Sequence, residues 1–334
     1  MRKKKLNPQT YRKYLLIYNP RSGQGRYRQY IDETARYFSE RGLELELRGT
    51  EEPGHATDIA RDACASDTDV IIGAGGDGTI NEVLNGMVGG DKTLAVLPWG
   101  TGNVFAAEMN IPVHPRQACK VITDGYSARL DVARISTTLR QGSGHALDDH
   151  GRYFLLMCGA GFDAYSIKKV EQLNIKRVIG KLAYAIGSIH AFSRYGFPEI
   201  EVELDNGRRD KGTFVLVSNT SRYGVYFTIS PRAVPTDGLL DVYIFKEAGR
   251  WNFVKLAAQV LLTAFMPRTR RRKIFFKKQS FYRAKSVKLS SAHIVPTQID
   301  GELFHPLPAK IEVAPSAVNV ILPKRVLMRV RKYL

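Results

Sequence analysis

Short apolar runs alternate with amphipathic segments in the first third of the chain. The runs Tyr14–Tyr18, Leu43–Leu47, Val70–Ala74 and Leu94–Leu97 have the length of strands, and the segments between them have helical spacing. Alternation of this kind predicts a parallel sheet with helices on both faces. We therefore expect an α/β domain at the amino terminus, over about residues 11–130.

The rhythm changes after Asp131. Strand patterns now follow one another across short turns, which predicts a second domain, residues 131–314, that is mostly antiparallel β. Leu182–Phe192 is predicted as the helix of this domain, and Thr137–His150 as a loop. The predicted strands are Val132–Ser136, Tyr153–Cys158, Ile200–Leu204, Thr213–Ser218, Asp241–Phe245 and Val287–Leu289, with a further strand over Lys310–Leu322.

Composition limits the classes of partner and compartment. The 334 residues carry a formal net charge of +18, which favours an anionic partner: nucleic acid, an acidic substrate or an anionic bilayer. Three widely spaced cysteines lack metal-site spacing and indicate reduced thiols, hence a cytoplasmic protein. No signal peptide and no apolar run of membrane-spanning length is visible, so a membrane role is expected to be peripheral.

The stretch Asp69–Gly86 combines a strand, a glycine cluster and a helical pattern. Gly75, Gly76 and Gly78 allow the backbone to approach an anion closely, and amides at the helix start would point at it. A carboxylate inside such a turn, Asp77, favours phosphoryl transfer over passive nucleotide binding. The spacing also satisfies the dinucleotide-binding pattern GxGxxG, but no acidic residue ends the following strand, and a structural glycine turn remains an alternative. No Walker A sequence occurs.

Two further glycine-rich loops follow predicted strands, Asn19–Gly25 and Pro98–Asn103. Because ligands of parallel sheets bind beyond the carboxyl ends of the strands, the three loops are expected to meet at one edge of the sheet.

These motifs resemble those of the diacylglycerol kinase catalytic-domain family of lipid kinases, which includes sphingosine and ceramide kinases. The resemblance rests on NPRSGQG from Asn19, on Thr50 with Gly54-His55-Ala56, on GGDGT from Gly75, and on LPWGTGN from Leu97. It implies a phosphofructokinase- or NAD kinase-like sheet, ATP as co-substrate, a nucleotide cleft between the domains, and a carboxyl-terminal segment (about 315–334) that returns to the first domain. Thr50 is equally well explained as a helix or turn cap. The implied nucleotide-binding residues are Asn19, Thr50, Gly75, Gly76, Asp77, Gly78, Thr79, Ile80, Asn81, Gly100 and Thr101.

The family's DGE motif matches Asp300-Gly301-Glu302, and its glutamate is the presumed general base for a lipid hydroxyl. Asp77 is the competing candidate. From the residues alone, Asp-Gly predicts a type I′ hairpin turn, which is compatible with presenting Glu302. One position departs from many bacterial members: Val104 stands where they carry an aspartate of an acidic magnesium network that also includes the match to Asp131, so diacylglycerol as the acceptor is in doubt.

The segment Ser230–Val242, SPRAVPTDGLLDV, resembles the family's magnesium-binding loop. The resemblance assigns the ion to the carboxylate of Asp237 and the carbonyl oxygens of Val234 and Leu239, an oxygen set suited to a hard cation. The alternative from the residues alone is an ordinary turn before a strand. The motif Gly159–Ala164 is also shared with the family, and a tight turn is its simplest explanation.

A predicted helix, Trp251–Met266, has a narrow polar stripe and is followed by cations interleaved with aromatic residues. No Asp or Glu occurs between Ala248 and Ile299. This combination is typical of docking on an anionic membrane surface, although a core helix with solvated charges remains an alternative. No nucleic-acid-binding module accompanies it, so nucleic acid is not expected as a partner.

The sequence therefore favours an ATP- and Mg²⁺-dependent lipid kinase of the cytoplasm, transiently at the inner face of the membrane. An NAD kinase-like enzyme with a soluble acceptor is one alternative, and a catalytically silent lipid- or nucleotide-binding regulator is another. The acceptor lipid, the nucleotide preference and the oligomeric state, a homodimer included, stay open.

Overall fold

A computed structural model describes residues 11–22, 25–137, 151–172, 195–225, 227–246 and 279–330. Contacts divide the chain into two compact units. Of the described residues, those up to Val132, the short segment Val234–Asp237 and those from Ala314 onwards form the first unit. Those of Ala133–Ala233 and Gly238–Val313 form the second unit.

The bounds of the elements are as follows. The strands are β1 (Lys13–Tyr18), β2 (Glu44–Gly49), β3 (Val70–Gly75), β4 (Thr93–Pro98), β5 (Tyr126–Thr137), β6 (Arg152–Phe154), β7 (Met157–Ala160), β8 (Ile200–Leu204), β9 (Arg209–Gly212), β10 (Phe214–Ser218), β11 (Arg222–Tyr223), β12 (Phe227–Thr228), β13 (Leu240–Phe245), β14 (Gln279–Ala284), β15 (Ser286–Ser290), β16 (Thr297–Ile299), β17 (Glu302–Phe304) and β18 (Ala309–Leu322). The helices are α1 (Tyr27–Ser39), α2 (His55–Cys64), α3 (Asp77–Met87), α4 (Val104–Glu108), α5 (Pro115–Asp124), α6 (Phe162–Gln172) and α7 (Lys324–Val330).

The first unit contains a parallel sheet in the order β2-β1-β3-β4-β18, in which β18 contributes its carboxyl-terminal part. Every residue of β3 and β4 is buried, because helices cover both faces of a parallel sheet, and this explains their uninterrupted apolar runs. The chain leaves β1 towards β2 on one side and returns to β3 on the other. The gap between β1 and β3 is therefore the topological switch point, where ligands of such sheets bind.

Helices α2 and α3 pack closely against each other. A Cβ at Gly86 would lie 2.3 Å from the carbonyl oxygen of Thr57, so only glycine permits this approach. The backbone that follows β3 is thereby fixed against the helix that precedes it.

The second unit contains an antiparallel sheet in the order β14-β13-β10-β7-β16-β17. A second antiparallel layer consists of β9, β8, β15 and the amino-terminal part of β18. Residues from both layers share one apolar core, for example Val215 and Val242 of the first layer and Val202 and Val287 of the second. The predicted fold class, a parallel α/β domain followed by an antiparallel β domain, is confirmed.

Several sequence-based predictions differ from the structure. The predicted strand Tyr153–Cys158 is wrong: β6 and β7 are separate, because the amides of Leu155, Leu156 and Met157 donate to a side-chain carboxylate, that of Asp300. Helix α6 begins where only a tight turn was expected. The predicted loop Thr137–His150 (except Thr137, which ends β5), the helix Leu182–Phe192 and the helix Trp251–Met266 lie outside the described residues. Within the described ranges, no helix has the length and apolarity needed to cross a membrane.

Candidate active site

Three loops meet at the carboxyl edge of the parallel sheet in the first unit. The amide of Asn19, after β1, donates to the carbonyl of Ala74 in β3 (3.2 Å). The amides of Trp99 and Gly100, after β4, both donate to the carbonyl of Gly75 (3.0 Å each). The expected convergence of the loops at this edge is thus present in the structure.

Glycine is required where two of these loops touch. A Cβ at Gly100 would lie 2.3 Å from the Cα of Gly76, and a Cβ at Gly75 would lie 2.5 Å from the Oγ1 of Thr79. A Cβ at Gly100 would therefore force the backbones of two loops apart, whereas a Cβ at Gly75 would crowd the Thr79 side chain of its own loop. The glycines of this edge therefore keep the amides of two loops next to each other.

Asp77 joins the same two loops through its carboxylate. The amides of Val104 and Phe105 donate to its two oxygens (2.9 and 3.0 Å), so Asp77 caps the start of α4. Burial raises the pKa of Asp77 above its ordinary value, while the bonds from Phe105 and Val104 oppose that shift by favouring the charged form. With both oxygens accepting backbone hydrogen bonds, the carboxylate acts first as a structural group.

Asn103 completes this loop. It has φ 57°, and its Nδ2 donates to the carbonyls of Pro98 (3.1 Å) and Gly100 (2.7 Å), while its Oδ1 accepts from the amide of Gly100 (3.0 Å). Asn103 was quoted within a motif but was given no role. The available signal was the residue type, because Asn tolerates the left-handed backbone that this loop requires.

The remaining predicted nucleotide-binding residues occupy two kinds of position. Thr50 follows β2, and its amide donates to the carbonyl of Tyr18 (2.9 Å). Gly78, Thr79, Ile80 and Asn81 lie in the first turns of α3, where Thr79, Ile80 and Asn81 are buried and Gly78 is partly exposed. Thr101 is exposed. His55 is the first residue of α2, and its Nδ1 accepts from the amide of Glu51 (3.2 Å), which closes the turn before that helix.

The DGE motif forms a two-residue hairpin turn in the second unit. Strands β16 and β17 pair with Ile299 opposite Glu302, and Asp300 and Gly301 have φ 51° and 92°. Two consecutive positive φ angles in a two-residue loop define the type I′ turn that the sequence predicts. The carboxylate of Asp300 accepts from the amides of Leu155 (2.8 Å), Leu156 (2.9 Å) and Met157 (3.0 Å), which anchors the turn.

Glu302 itself is not used to hold the fold together. Its side chain is 46% exposed and pairs with Arg152 of β6, the Nη2–Oε2 distance being 2.6 Å. Arg152 was not among the predicted site residues. The pairing depends on two strands 150 residues apart, and no local pattern reports it.

The predicted magnesium loop contains two carboxylates, of which Asp241 is buried and bonded to Ser230 and Arg283, so Asp237 is the partly exposed one. Asp237, Val234 and Leu239 are all partly exposed. The carbonyl of Val234 accepts from the amides of Thr236 (2.7 Å) and Asp237 (3.4 Å). In the part of the chain that the structure describes, no cluster of three or more His, Cys, Asp or Glu residues could hold a metal ion. A cation bound here would need carbonyl oxygens, which suits Mg²⁺ or Ca²⁺.

Two of the cations near the predicted membrane-docking segment are neutralised inside the second unit. Arg283 Nε lies 3.1 Å from an oxygen of the buried Asp241, and Lys288 Nζ lies 3.1 Å from Glu203. The rest of the segment, residues 251–278, lies outside the described residues.

Comparison with protein-family models gives two matches. Residues 13–135 match the diacylglycerol kinase catalytic domain, and residues 157–322 match the YegS C-terminal NAD kinase β-sandwich-like domain. Together the two models match most of the chain.

Curated relatives and solved structures agree with these matches. A diacylglycerol kinase of Bacillus subtilis (strain 168) is 28% identical over 314 residues, covering 92% of this chain and 96% of the relative. A diacylglycerol kinase of Staphylococcus carnosus (strain TM300) is 27% identical over 315 residues, with 93% and 95% covered. The crystal structure of a diacylglycerol kinase from Bacillus anthracis str. Sterne matches with a TM-score of 0.68 at 22% identity, covering 95% of this chain and 99% of the other. That likeness shows the fold.

Proposed function

Because the chain belongs to the diacylglycerol kinase catalytic-domain family, we propose that it transfers the γ-phosphoryl group of ATP to the hydroxyl group of a lipid, either a diacylglycerol or a sphingoid lipid. The observation that carries this proposal is the edge of the parallel sheet where glycine loops after β1, β3 and β4 meet at the switch point. Backbone amides and the start of α3 make that edge suited to phosphate.

In this proposal the first unit holds the nucleotide. The GGDGT loop, Gly75–Thr79, supplies amides to the phosphates, and Asp77 keeps the loop after β4 attached to it. Asn19, Thr50, Gly100 and Thr101 surround the same edge. The family's use of ATP supports the assignment, and positioning plus electrostatic stabilisation is the main contribution of a protein to phosphoryl transfer.

Glu302 is proposed as the general base. The acceptor oxygen attacks the γ-phosphorus, its proton passes to the Glu302 carboxylate, and the bond between the γ-phosphorus and the bridging oxygen breaks, with ADP leaving. Glu302 is favoured over Asp77 for a physical reason. Both oxygens of Asp77 accept backbone hydrogen bonds. Glu302 is half-exposed, and among the described residues its carboxylate forms an ion pair with Arg152 alone.

Magnesium is proposed in two places. An ion bound with ATP would neutralise phosphate charge, as in phosphoryl transfer generally. A second, structural ion would be held by the carboxylate of Asp237 and the carbonyls of Val234 and Leu239, an oxygen set of the kind that a hard cation prefers. Many bacterial relatives have an acidic network that includes an aspartate directly after the asparagine of this motif. This chain has Val104 there and so lacks one of those carboxylates, which is why a sphingoid lipid is proposed as an acceptor as well as diacylglycerol.

Contact with an anionic membrane surface is proposed from the net charge of +18 and the cationic, aromatic segment after Trp251. The test is sedimentation with phosphatidylglycerol vesicles and with phosphatidylcholine vesicles at two salt concentrations. Binding to the anionic vesicles alone, weakened by salt, is expected. Equal binding to both would argue against an electrostatic surface.

The activity is tested with radiolabelled ATP and a panel of diacylglycerol, sphingosine, ceramide and NAD, followed by separation of the products. Label in a lipid phosphate is expected. Label in NAD alone would replace the proposal by an NAD kinase-like function, an outcome included because the second matched domain is described as NAD kinase-like. Nucleotide binding without any labelled product would identify a silent regulator.

A further inference from the structure

A chain of hydrogen bonds, buried at its start and partly buried at its end, leads from the first turn of α6 to the turn that carries Glu302. The Asp163 carboxylate accepts from the amide of Ala164 (2.7 Å) and from Nε2 of Gln298 (3.0 Å). The Oε1 of Gln298 accepts from the amide of Gly301 (2.8 Å), the residue before Glu302. Asp163 and Gln298 are 7% and 3% exposed, so water does not replace the bond between them, whereas the bond to the exposed Gly301 is partly buried.

The motif Gly159–Ala164, which the proposed function does not use, creates the space for this chain. Gly159 lies opposite Gln298 in the pairing of β7 with β16. A Cβ on Gly159 would lie 1.9 Å from Oδ2 of Asp163, so glycine is required beneath the carboxylate. Gly161, at φ +121°, turns the chain from β7 into α6 and brings Asp163 back over the strand.

The polarity of the chain allows only one arrangement of Gln298. Both oxygens of the Asp163 carboxylate are acceptors, so the amide nitrogen of Gln298 must face it. The carbonyl oxygen of Gln298 then has to face the amide of Gly301. Burial opposes the charged form and raises the pKa of Asp163 to about 6, so a carboxylate is kept here against its desolvation.

We propose that Asp163 and Gln298 are positioning residues that hold the Asp300-Gly301 turn and thereby place the Glu302 carboxylate for proton transfer; this rests on the proposed role of Glu302. Asp300 holds the other side of the turn, through amides that directly follow the strand of Arg152. Both partners of the Glu302–Arg152 pair are therefore attached to one fixed hairpin. A displacement of about 1 Å at a reacting group lowers turnover by about 100-fold.

The first experiment compares Gln298→Met with Thr297→Val in the full-length enzyme. Gln298→Met keeps the side-chain volume but removes both hydrogen bonds, whereas Thr297→Val removes one partly buried hydrogen bond, to the carbonyl of His305, from the same strand. We expect Gln298→Met to lower kcat about 10- to 100-fold with the KM for ATP unchanged, and Thr297→Val to leave both within about twofold.

The second experiment reverses the polarity of the chain. In Asp163→Asn, the side-chain nitrogen must face either Nε2 of Gln298 or the amide of Ala164, both of which are donors. Flipping the Gln298 amide would only move the conflict to Gly301. In the double variant Asp163→Asn/Gln298→Glu, the new glutamate accepts from both neighbours and the arrangement is complete again. We expect kcat to fall about tenfold or more in the single variant and to recover to within about fivefold of wild type in the double variant.

Glu302→Gln and melting temperatures are measured in parallel, so that the two proposals can fail separately. If Glu302→Gln retains turnover, the proposed base is wrong and the positioning role falls with it. If Glu302→Gln is inactive while Gln298→Met remains as active as Thr297→Val, only the positioning role is overturned. Failure of the double variant to recover kcat although it melts like wild type also overturns it. Should Asp163→Asn not fold, the comparison of Gln298→Met with Thr297→Val decides.

Discussion

Two aspartate–glycine pairs, one in each unit, have different structural roles. Asp77-Gly78 begins a helix, and Asp300-Gly301 forms a left-handed hairpin turn. In both pairs the aspartate carboxylate accepts backbone amides of a distant segment: Val104 and Phe105 for Asp77, and Leu155 to Met157 for Asp300. The residues that follow differ. After Asp77 come buried Thr79 and Ile80, while after Asp300 comes the half-exposed Glu302. The first pair therefore organises amides and the second presents a carboxylate.

The largest expected effect is on kcat, and it distinguishes the role of Glu302 from that of Asp77. Glu302→Gln should lower kcat by about 10²- to 10⁴-fold, the usual range for a general base, without changing the melting temperature. Asp77→Asn should also lower kcat by orders of magnitude, but together with the melting temperature, because one of the amides of Val104 and Phe105 then loses its acceptor. Steady-state kinetics and thermal unfolding on the same samples check this. A Glu302→Gln enzyme with near-normal kinetics would remove Glu302 from the mechanism.

The next comparison removes both anchors and measures stability. Asp300→Ala leaves three buried amides without their acceptor and should lower the free energy of unfolding by about 3 kcal/mol or more, whereas Asp77→Ala leaves two and should lower it by about 2 kcal/mol. Urea unfolding gives both values. Equal losses in the two variants would mean that the amides of one segment find other acceptors.

Asp163, which is linked through Gln298 to the Asp300-Gly301 turn, should make the free energy of unfolding depend on pH. Its pKa is raised from 3.8 to about 6 by burial, so the folded protein binds this proton more tightly than the unfolded chain. The contribution to stability is complete below about pH 4 and is lost as pH rises through about 6, by up to about 3 kcal/mol. The unfolding free energy of wild type minus that of Asp163→Asn should therefore decrease between pH 4 and 6. A pH-independent difference would contradict the raised pKa.

The smallest expected effects come from two glycine substitutions. Gly100→Ala tests steric crowding between loops, and Gly301→Ala tests the cost of a positive φ angle. Gly100→Ala would place its Cβ against the backbone of Gly76 and should raise the KM for ATP by about tenfold or more, because two amide-bearing loops are forced apart. Gly301→Ala meets no atom within 4 Å but has φ +92°, so it should cost about 1 kcal/mol of stability and leave the KM for ATP unchanged. An unchanged KM for ATP in Gly100→Ala would place the nucleotide elsewhere.

The sequence predicts the parallel sheet well, because β3 and β4 are buried on both faces and therefore read as continuous apolar runs. Helix α5 was missed although its signal is local: a proline begins it, and its buried residues Pro115, Ala118, Cys119 and Ile122 recur with helical spacing. The break between β6 and β7 carries no such signal. It depends on Asp300, more than 140 residues away, taking amides that a strand would have used.

The candidate site divides in the same way. The glycine loops and the Asp-Gly turn each consist of consecutive residues, so these motifs could be recognised from the sequence. The interactions of Arg152 and Gln298 depend on strand pairing and on side-chain hydrogen bonds, two of them with residues more than 130 positions away. The residues next to them in the sequence form no pattern that predicts these interactions. The locations of Glu302 and the GGDGT loop were predictable, whereas what each one is bonded to was not.

Strand β18 also limits how this protein can be dissected. Its carboxyl-terminal part pairs with β4 in the first unit, and its amino-terminal part pairs with β15 in the second. A fragment that stops at Val132 would leave the backbone groups of β4 without that neighbour, and unpaired edges of this kind recruit other chains into aggregates. Isolating the first unit therefore calls for grafting the segment after Ala314 onto the shortened chain, rather than for simple truncation.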